Sequence, residues 1–228
     1  VRRLVGSEMC IRDSINTYKS GGAAGTVGKW IARCGGALGN SLQVSVCASS
    51  NAYFNDNVSL VNNSSGIAAG ATVVAVDAGA SFTAGDIIQF SSHSQQYQVV
   101  SISSNNLTIK ALNQPADGLV QNVADNEQVS RFWEHYALFD KAPGSSAGAV
   151  AAGASNDEIH VVVVDEDGVF TGTKDTVLES FGFLSLASDA KDSVGNSNYY
   201  RDVIERESNY VYWSGHSTAM LSSANESR

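Results

Sequence analysis

Positive charge is scarce in this sequence. Lys and Arg number 14 against 23 acidic residues, a formal net charge of -9. A protein that tracks nucleic-acid phosphates needs a basic patch or stripe. None occurs outside the first dozen residues, so no nucleic acid is expected as a partner. Long apolar runs are missing as well. Runs such as Val161–Val164 fall far short of the roughly 20 residues that cross a bilayer, and no charged-then-apolar segment opens the chain, so membrane insertion is not expected. Cysteine is equally sparse. Cys10, Cys34 and Cys47 are odd in number and form no C-x-x-C pair, which signals neither a disulfide framework nor a zinc site. The expectation is reduced, partly buried thiols of a cytosolic protein. Without a signal segment, the N-x-[ST] sequons at Asn57-Val58-Ser59 and Asn106-Leu107-Thr108 read as chance matches. Charged residues make up only 16% against 43% apolar. That balance excludes wholesale disorder and leaves enough apolar surface for a core.

What is present falls into segments of different texture. "VRRLVGSEMCIRDS", residues 1–14, holds three of the 14 basic residues and differs in composition from the rest of the chain. It is similar to the translated sequencing adapter often fused to environmental gene fragments, so it is expected to be a non-native leader that packs against nothing, on a chain that begins mid-gene. "KSGGAAGTVGKWIARCGGALGN" reads as loop and short extended pieces. "SLQVSVC" alternates Leu42, Val44 and Val46 with polar neighbours, the period of a half-buried strand. From Ser64 to Val123, "ATVVAVD", "GDIIQF", "YQVVSI" and "NLTIKAL" are short β-rich runs between Gly, Ser and Asn turns. "SSNN" is a hairpin signal. This stretch reads as a compact β module, a meander or barrel, inserted into the surrounding domain.

"NEQVSRFWEHYALFDKAPG" suits a helix or a strand, its aromatics fitting both periods, and Pro143-Gly144 ends it either way. "GSSAGAVAAGASN" reads as a flexible, exposed linker. A strand is expected from Glu158 to Asp165, a second extended segment in "TVLESFGFLSLAS", a helix in "SNYYRDVIERES" capped by Ser197, and a strand in "NYVYW". The fold class expected is α+β: a mixed α/β core with an inserted small all-β module. Its discontinuous core takes residues 15–63 and 124–228, and the module takes 64–123.

The stretch "EIHVVVVDEDGVFTG" carries the one motif that could hold chemistry. As a calcium loop, Asp165-Glu166-Asp167-Gly168 fails on spacing: the sixth and twelfth places hold Phe170 and Thr176 where an EF-hand needs Gly and Glu. Four apolar residues and then D-x-D-G also resemble the first motif of haloacid-dehalogenase-like phosphatases. That resemblance implies Asp165 as nucleophile, Asp167 as acid/base and a Mg²⁺ held beside them. It would need Lys191 and Asp192 as its downstream partners, and no repeated strand-helix units occur downstream to support them. The third reading is a central strand leaving the core through an Asp/Gly-rich turn, with solvated carboxylates. Composition favours the third.

Other chemistry-bearing residues are dispersed. His93, His135, His160 and His216 lie far apart without H-x-x-x-H spacing and are expected to be satisfied or exposed rather than ligands. No G-x-S-x-G elbow supports a Ser nucleophile. "GGAAGTVGK" lacks the ending of a phosphate loop, because Trp30 comes after Lys29. The aromatics of "RFWEHYALF" and "NYVYW" suit core or subunit contacts.

From Lys29 onward, and most strongly from Arg131 to Trp213, the chain resembles the contractile tail sheath proteins of T-even-type bacteriophages. The resemblance is carried by "GKWIARCGGALGNSLQVSVC", "FDKAPG", "SNDEIHVVVVDEDGVFTGTKDTVLESF", "ASDAKDSVGNSNYYRDVI" and "NYVYW", in that order. It departs by omission: the family's outer N-terminal region and its C-terminal domain are missing, and Ser64–Val123 matches less clearly. The resemblance implies a structural subunit, not an enzyme, with no catalytic, cofactor-binding or metal residues and no cofactor. Its implied partners are other sheath subunits in stacked hexameric rings, the tail tube protein, the baseplate and the tail terminator. Its implied location is the virion, after assembly in the host cytoplasm. Two other classes remain open: the Mg²⁺-dependent phosphatase, and a β-rich binding or adhesin module.

Overall fold

The computed structural model describes residues 29–215; the expected leader at 1–14, Cys10 and His216 lie outside them. The chain is β-rich, with 37% strand and 15% helix, so α+β describes it only loosely. In chain order the elements are β1 (Trp30–Ala32), α1 (Gly36–Asn40), β2 (Leu42–Cys47), α2 (Ser50–Tyr53), β3 (Phe54–Leu60), β4 (Val73–Ala75), β5 (Ile87–Phe90) and β6 (Gln96–Ser103). They continue as β7 (Asn106–Ala111), β8 (Gln128–Phe132), α3 (Ala147–Ala151), β9 (Glu158–Asp165), β10 (Thr176–Ser185), α4 (Tyr200–Glu207) and β11 (Val211–Trp213). Two compact units result: Ser50–Ala142 forms one, and the chain on either side of it forms the other.

The discontinuous core unit is built on β9. In the three-stranded order β10-β9-β2, this strand is central and antiparallel to both neighbours. Side chains alternate faces along a strand, so Ile159, Val161 and Val163 enter one cluster with Val44, Val46 and Leu184. His160, Val162 and Val164 are buried on the opposite face. A strand covered on both faces requires the unbroken β-branched run that the sequence supplies. Burial of each such side chain contributes about 1.5–3 kcal/mol. Helix α4 closes the first face with Tyr200, Val203 and Ile204, residues at helical spacing. Behind it β1 and β11 pair antiparallel, and the Trp213 indole N–H donates to the Tyr200 hydroxyl at 2.7 Å.

Three local expectations change here. Tyr199, not Ser197, occupies the N-cap of α4 and makes no side-chain cap bond. The Ser197 hydroxyl donates instead to Asp202 in the first turn, at 2.9 Å. The small-residue linker contains helix α3, which Ser146 caps by accepting the Ala149 N–H at 3.2 Å. The Gly-rich approach to β2 includes helix α1, whose Gly39 packs so closely that a Cβ there would sit 2.2 Å from the Cys34 carbonyl oxygen.

The second unit is a six-stranded antiparallel sheet in the order β3-β8-β5-β6-β7-β4. Ser104-Asn105 turns β6 into β7, as "SSNN" predicts, with Ser104 at φ 53. The edge strands then meet. Val61 and Val76 bridge, the Asn62 N–H donates to Ala75 O, and the Asp77 N–H donates to Leu60 O, both at 2.9 Å. The sheet therefore closes into a small barrel around Val61, Val74, Phe90, Tyr97, Val99, Leu107, Ile109 and Val129. Its bounds are 50 and 142 rather than 64 and 123, because β3 and β8 lie outside the expected module yet complete its sheet. The core accordingly loses 50–63 and 124–142 to this unit. The ambiguous aromatic stretch resolves as strand β8 and then a 3₁₀ turn at Tyr136–Leu138.

Each unit has its own cluster of buried apolar side chains. Replacing Ser50–Ala142 by a short Gly-Ser bridge should therefore leave the core unit folded, with a single cooperative melting transition by circular dichroism. A broad, non-cooperative melt of the excised protein would show that the core depends on the barrel.

Candidate functional site

The acidic turn begins where β9 leaves the core. Asp165 is the Cα partner of both Leu42 and Thr176, so it stands between the first residues of β2 and β10. It is fully buried, contrary to the solvated carboxylate expected there. One carboxylate oxygen accepts the Ser41 hydroxyl at 2.5 Å and the Val169 N–H at 2.9 Å. The other accepts the Phe170 N–H at 2.9 Å and the Thr171 N–H at 2.8 Å. The Thr171 hydroxyl lies 2.9 Å from that same oxygen and 2.9 Å from the Thr173 carbonyl. Burial opposes the charge, but the Ser41 and Thr171 hydroxyls and the turn's backbone N–H groups outweigh it and lower the pKa from 3.8 to about 2.

Gly168 completes the motif for a backbone reason. Its φ is 75°, and a Cβ there would lie 2.8 Å from the Lys174 nitrogen and the Thr173 carbonyl carbon. The D-x-D-G pattern is thus met by a buried cap and a forced turn. A phosphoryl nucleophile must present a carboxylate oxygen to phosphorus, whereas both Asp165 oxygens already hold two or more donors and neither reaches solvent.

The other residues of the phosphatase reading each have local partners, and Lys191 is exposed with its backbone bridging Ser197. Asp167 points outward, its side chain 43% exposed and 3.9 Å from the Lys174 ammonium, a surface pair of little energetic weight. Asp192 caps its own loop, accepting the Asn196 N–H at 2.8 Å and the Val194 N–H at 3.0 Å. Among the described residues, no group of three or more His, Cys, Asp or Glu side chains could hold a metal ion. Cys34 is half-buried and Cys47 buried, neither in a disulfide.

His160 and His93 are both buried and hydrogen-bonded, one of the two outcomes expected of them. His160 Nδ1 accepts the Phe183 N–H at 3.1 Å, and the two rings meet edge to face at 4.7 Å. Phe183 has φ 56 within a bulge of β10, so the imidazole satisfies a donor that the ladder has turned away from. In the barrel, buried His93 Nδ1 lies 2.7 Å from the Tyr97 hydroxyl, which in turn accepts the Val120 N–H at 3.2 Å. At the other end of β9, the buried carboxylate of Asp157 accepts the Ser146 N–H and hydroxyl, each at 2.7 Å, and the Ser185 hydroxyl.

The feature of this unit best suited to a partner is the outer edge of β10. Among the described residues no strand pairs with it. Val177 is 37% exposed and Ser180 is exposed. Glu179 accepts from the Ser208 hydroxyl and the Asn209 N–H, both at 2.7 Å. The last residues of β10 are covered, since Ser185 bridges Tyr199 and donates its N–H to Asn198 O while the Asn198 amide donates to Phe183 O, both at 2.9 Å. The part from Thr176 to Gly182 is an edge open to another strand. Comparison of the chain with protein families, curated proteins and solved structures returns no match.

The turn chemistry sets two expectations. Asp165→Asn places an amide against the Phe170 and Thr171 N–H groups and should lower stability by about 1–3 kcal/mol. Asp167→Asn should stay within about 0.5 kcal/mol of the parent. The carboxyl of Asp165 is more acidic folded than unfolded, so its stabilisation is complete above pH of about 4 and disappears as pH falls through about 2. Urea midpoints recorded from pH 2 to 7 should show this acid loss in the parent and lose the contribution of this group in Asp165→Asn.

Proposed function

We propose that the chain is a structural subunit of a bacteriophage contractile tail sheath, polymerising around the tail tube and shortening to drive it through the host envelope. Of the segments that carry the resemblance, "GKWIARCGGALGNSLQVSVC", "SNDEIHVVVVDEDGVFTGTKDTVLESF", "ASDAKDSVGNSNYYRDVI" and "NYVYW" supply β1, β2, β9, β10, α4 and β11 of one core unit, while "FDKAPG" spans the boundary between the two units. A mixed α/β core with a β insertion is the finer form of this reading. The observation that carries it is the outer edge of β10 over Thr176–Gly182: partly apolar and without a strand partner among the described residues. In a sheath, subunits stay linked through strands added to their neighbours' sheets while the cores move as rigid bodies. The occupied carboxylate of Asp165 counts against the phosphatase alternative, and a structural subunit requires no catalytic residue or cofactor. Neighbouring sheath subunits, the tail tube, the baseplate and the tail terminator are the corresponding partners, and the virion the corresponding location.

Joined to the flanking regions of a related sheath gene, the chain should form tubes visible by electron microscopy. Val177→Lys with Ser180→Lys, both on exposed positions of the β10 edge, should abolish tubes without lowering the melting temperature by more than a few degrees. A folded chimera that never assembles, or tubes indifferent to the two lysines, would count against the proposal.

A further inference from the structure

Two Asp-Gly pairs occur in the chain, Asp117-Gly118 in the barrel and Asp167-Gly168 at the acidic turn. This dipeptide is prone to spontaneous isomerisation, because no Cβ shields the glycine nitrogen. That nitrogen attacks the aspartate Cγ and gives up its proton, and the carboxyl OH leaves with the proton as water. The succinimide so formed takes up water again at one of its two carbonyls. Opening at the side-chain carbonyl restores aspartate. Opening at the main-chain carbonyl leaves isoaspartate, whose backbone runs through Cβ and Cγ. In a folded chain the attack also needs rotation about the aspartate Cα–C bond, which swings the flanking segments past one another. The same dipeptide therefore reacts or stays inert according to what holds those segments.

At the acidic turn both sides are tied. The Asp167 and Val169 N–H groups, which flank Gly168, both donate to the Ser41 hydroxyl at 3.3 Å. The Glu166 N–H donates to Ser41 O at 2.7 Å, and Gly168 O accepts the Gly172 N–H at 2.8 Å. Rotation at Asp167 would break this set together with the bonds that satisfy buried Asp165. The barrel pair is tied on its downstream side alone. The Leu119 N–H donates to Ala71 O at 2.9 Å and Leu119 O accepts the Gly70 N–H at 2.7 Å. Gly118 itself is wedged, since a Cβ there would lie 2.7 Å from Gly70 O and 2.8 Å from Ala71 O. Upstream, residues 113–117 are all exposed. Among the described residues none of 113–118 donates a backbone N–H to an acceptor. The Gln114 amide reaches the Gln95 side chain at 3.1 Å, a contact between exposed groups. The loop ahead of Asp117 can thus turn while the Gly118 nitrogen stays in place, an opening that costs no buried hydrogen bond. The structure assigns Asp117 as a site of isoaspartate formation and Asp167 as its protected counterpart. The assignment rests on these two loops and stands apart from the sheath reading.

Ageing the full chain in heavy-oxygen water at 37 °C and pH 6 tests this directly, with a parallel sample unfolded in guanidinium chloride. Each succinimide that opens during ageing takes up a heavy oxygen, so isomerisation during the later digestion in ordinary water is not counted. Reversed-phase chromatography separates the isoaspartyl peptides, and electron-transfer mass spectrometry locates the altered residue. The unfolded sample supplies the intrinsic ratio of the two rates. In the folded chain the ratio of Asp117 to Asp167 should exceed that intrinsic ratio at least tenfold. Asp117→Glu, whose cyclisation would require a six-membered ring, should abolish the signal from the barrel peptide with unchanged melting. A ratio less than tenfold above the intrinsic one, or no labelled isoaspartate at 117 in the folded chain once the unfolded sample has reacted, would overturn the assignment.

Discussion

A buried carboxylate stays ionised at low cost only where hydrogen-bond donors satisfy its oxygens. In this protein that requirement organises the core unit. Asp165 gathers Ser41, Val169, Phe170 and Thr171 around one charge, and these residues belong to the start of β2 and to the turn toward β10. Satisfying the carboxylate therefore fixes where three strands begin or end. Asp157 does the same at the opposite end of β9, tying the α3 cap at Ser146 to the end of β10 at Ser185. Between these two anchors the valines supply the burial, and the carboxylates supply the register.

Much of this was legible along the chain, and the failures have identifiable causes. The run Glu158–Asp165 announced a buried strand because only a sheet covered on both faces accommodates four consecutive valines. Ser104-Asn105 announced its hairpin through turn chemistry. The burial of Asp165 was not legible, since an Asp-Gly turn looks the same whether its carboxylate faces water or the backbone N–H groups of its own loop. The barrel's first and last strands were missed for a different reason. Phe54, Phe132 and Tyr136 make their surroundings look like part of a larger domain, and only the pairing of β3 with β8 assigns them to the barrel. Helix α3 was hidden by its composition, because its short turn depends on Ser146 and Asp157 rather than on an apolar face.

The two units treat their sheet edges in opposite ways. The barrel joins its edge strands through Val61 and Val76 and so exposes little unpaired backbone. The core unit leaves the outer side of β10 without a strand among the described residues, and bulges it at two places. Bulges and charges such as Glu179 discourage indiscriminate pairing.

The barrel's connection to the chain also has a mechanical consequence. Its first strand enters at Phe54 and its last strand leaves at Phe132, and these residues are direct partners in an antiparallel pair. Tension applied through Ser50 and Ala142 would pull two neighbouring strand ends apart at the same end of the sheet. Inter-strand hydrogen bonds in such a pair run perpendicular to the strands, so the load falls on one bond at a time and the sheet unzips. Strands pulled from opposite ends would instead shear, with the whole ladder sharing the force. Because β2 and β9 pair across the insertion, tension along the chain reaches Ser50 and Ala142 only after that pairing opens, and the barrel then unzips with little further resistance.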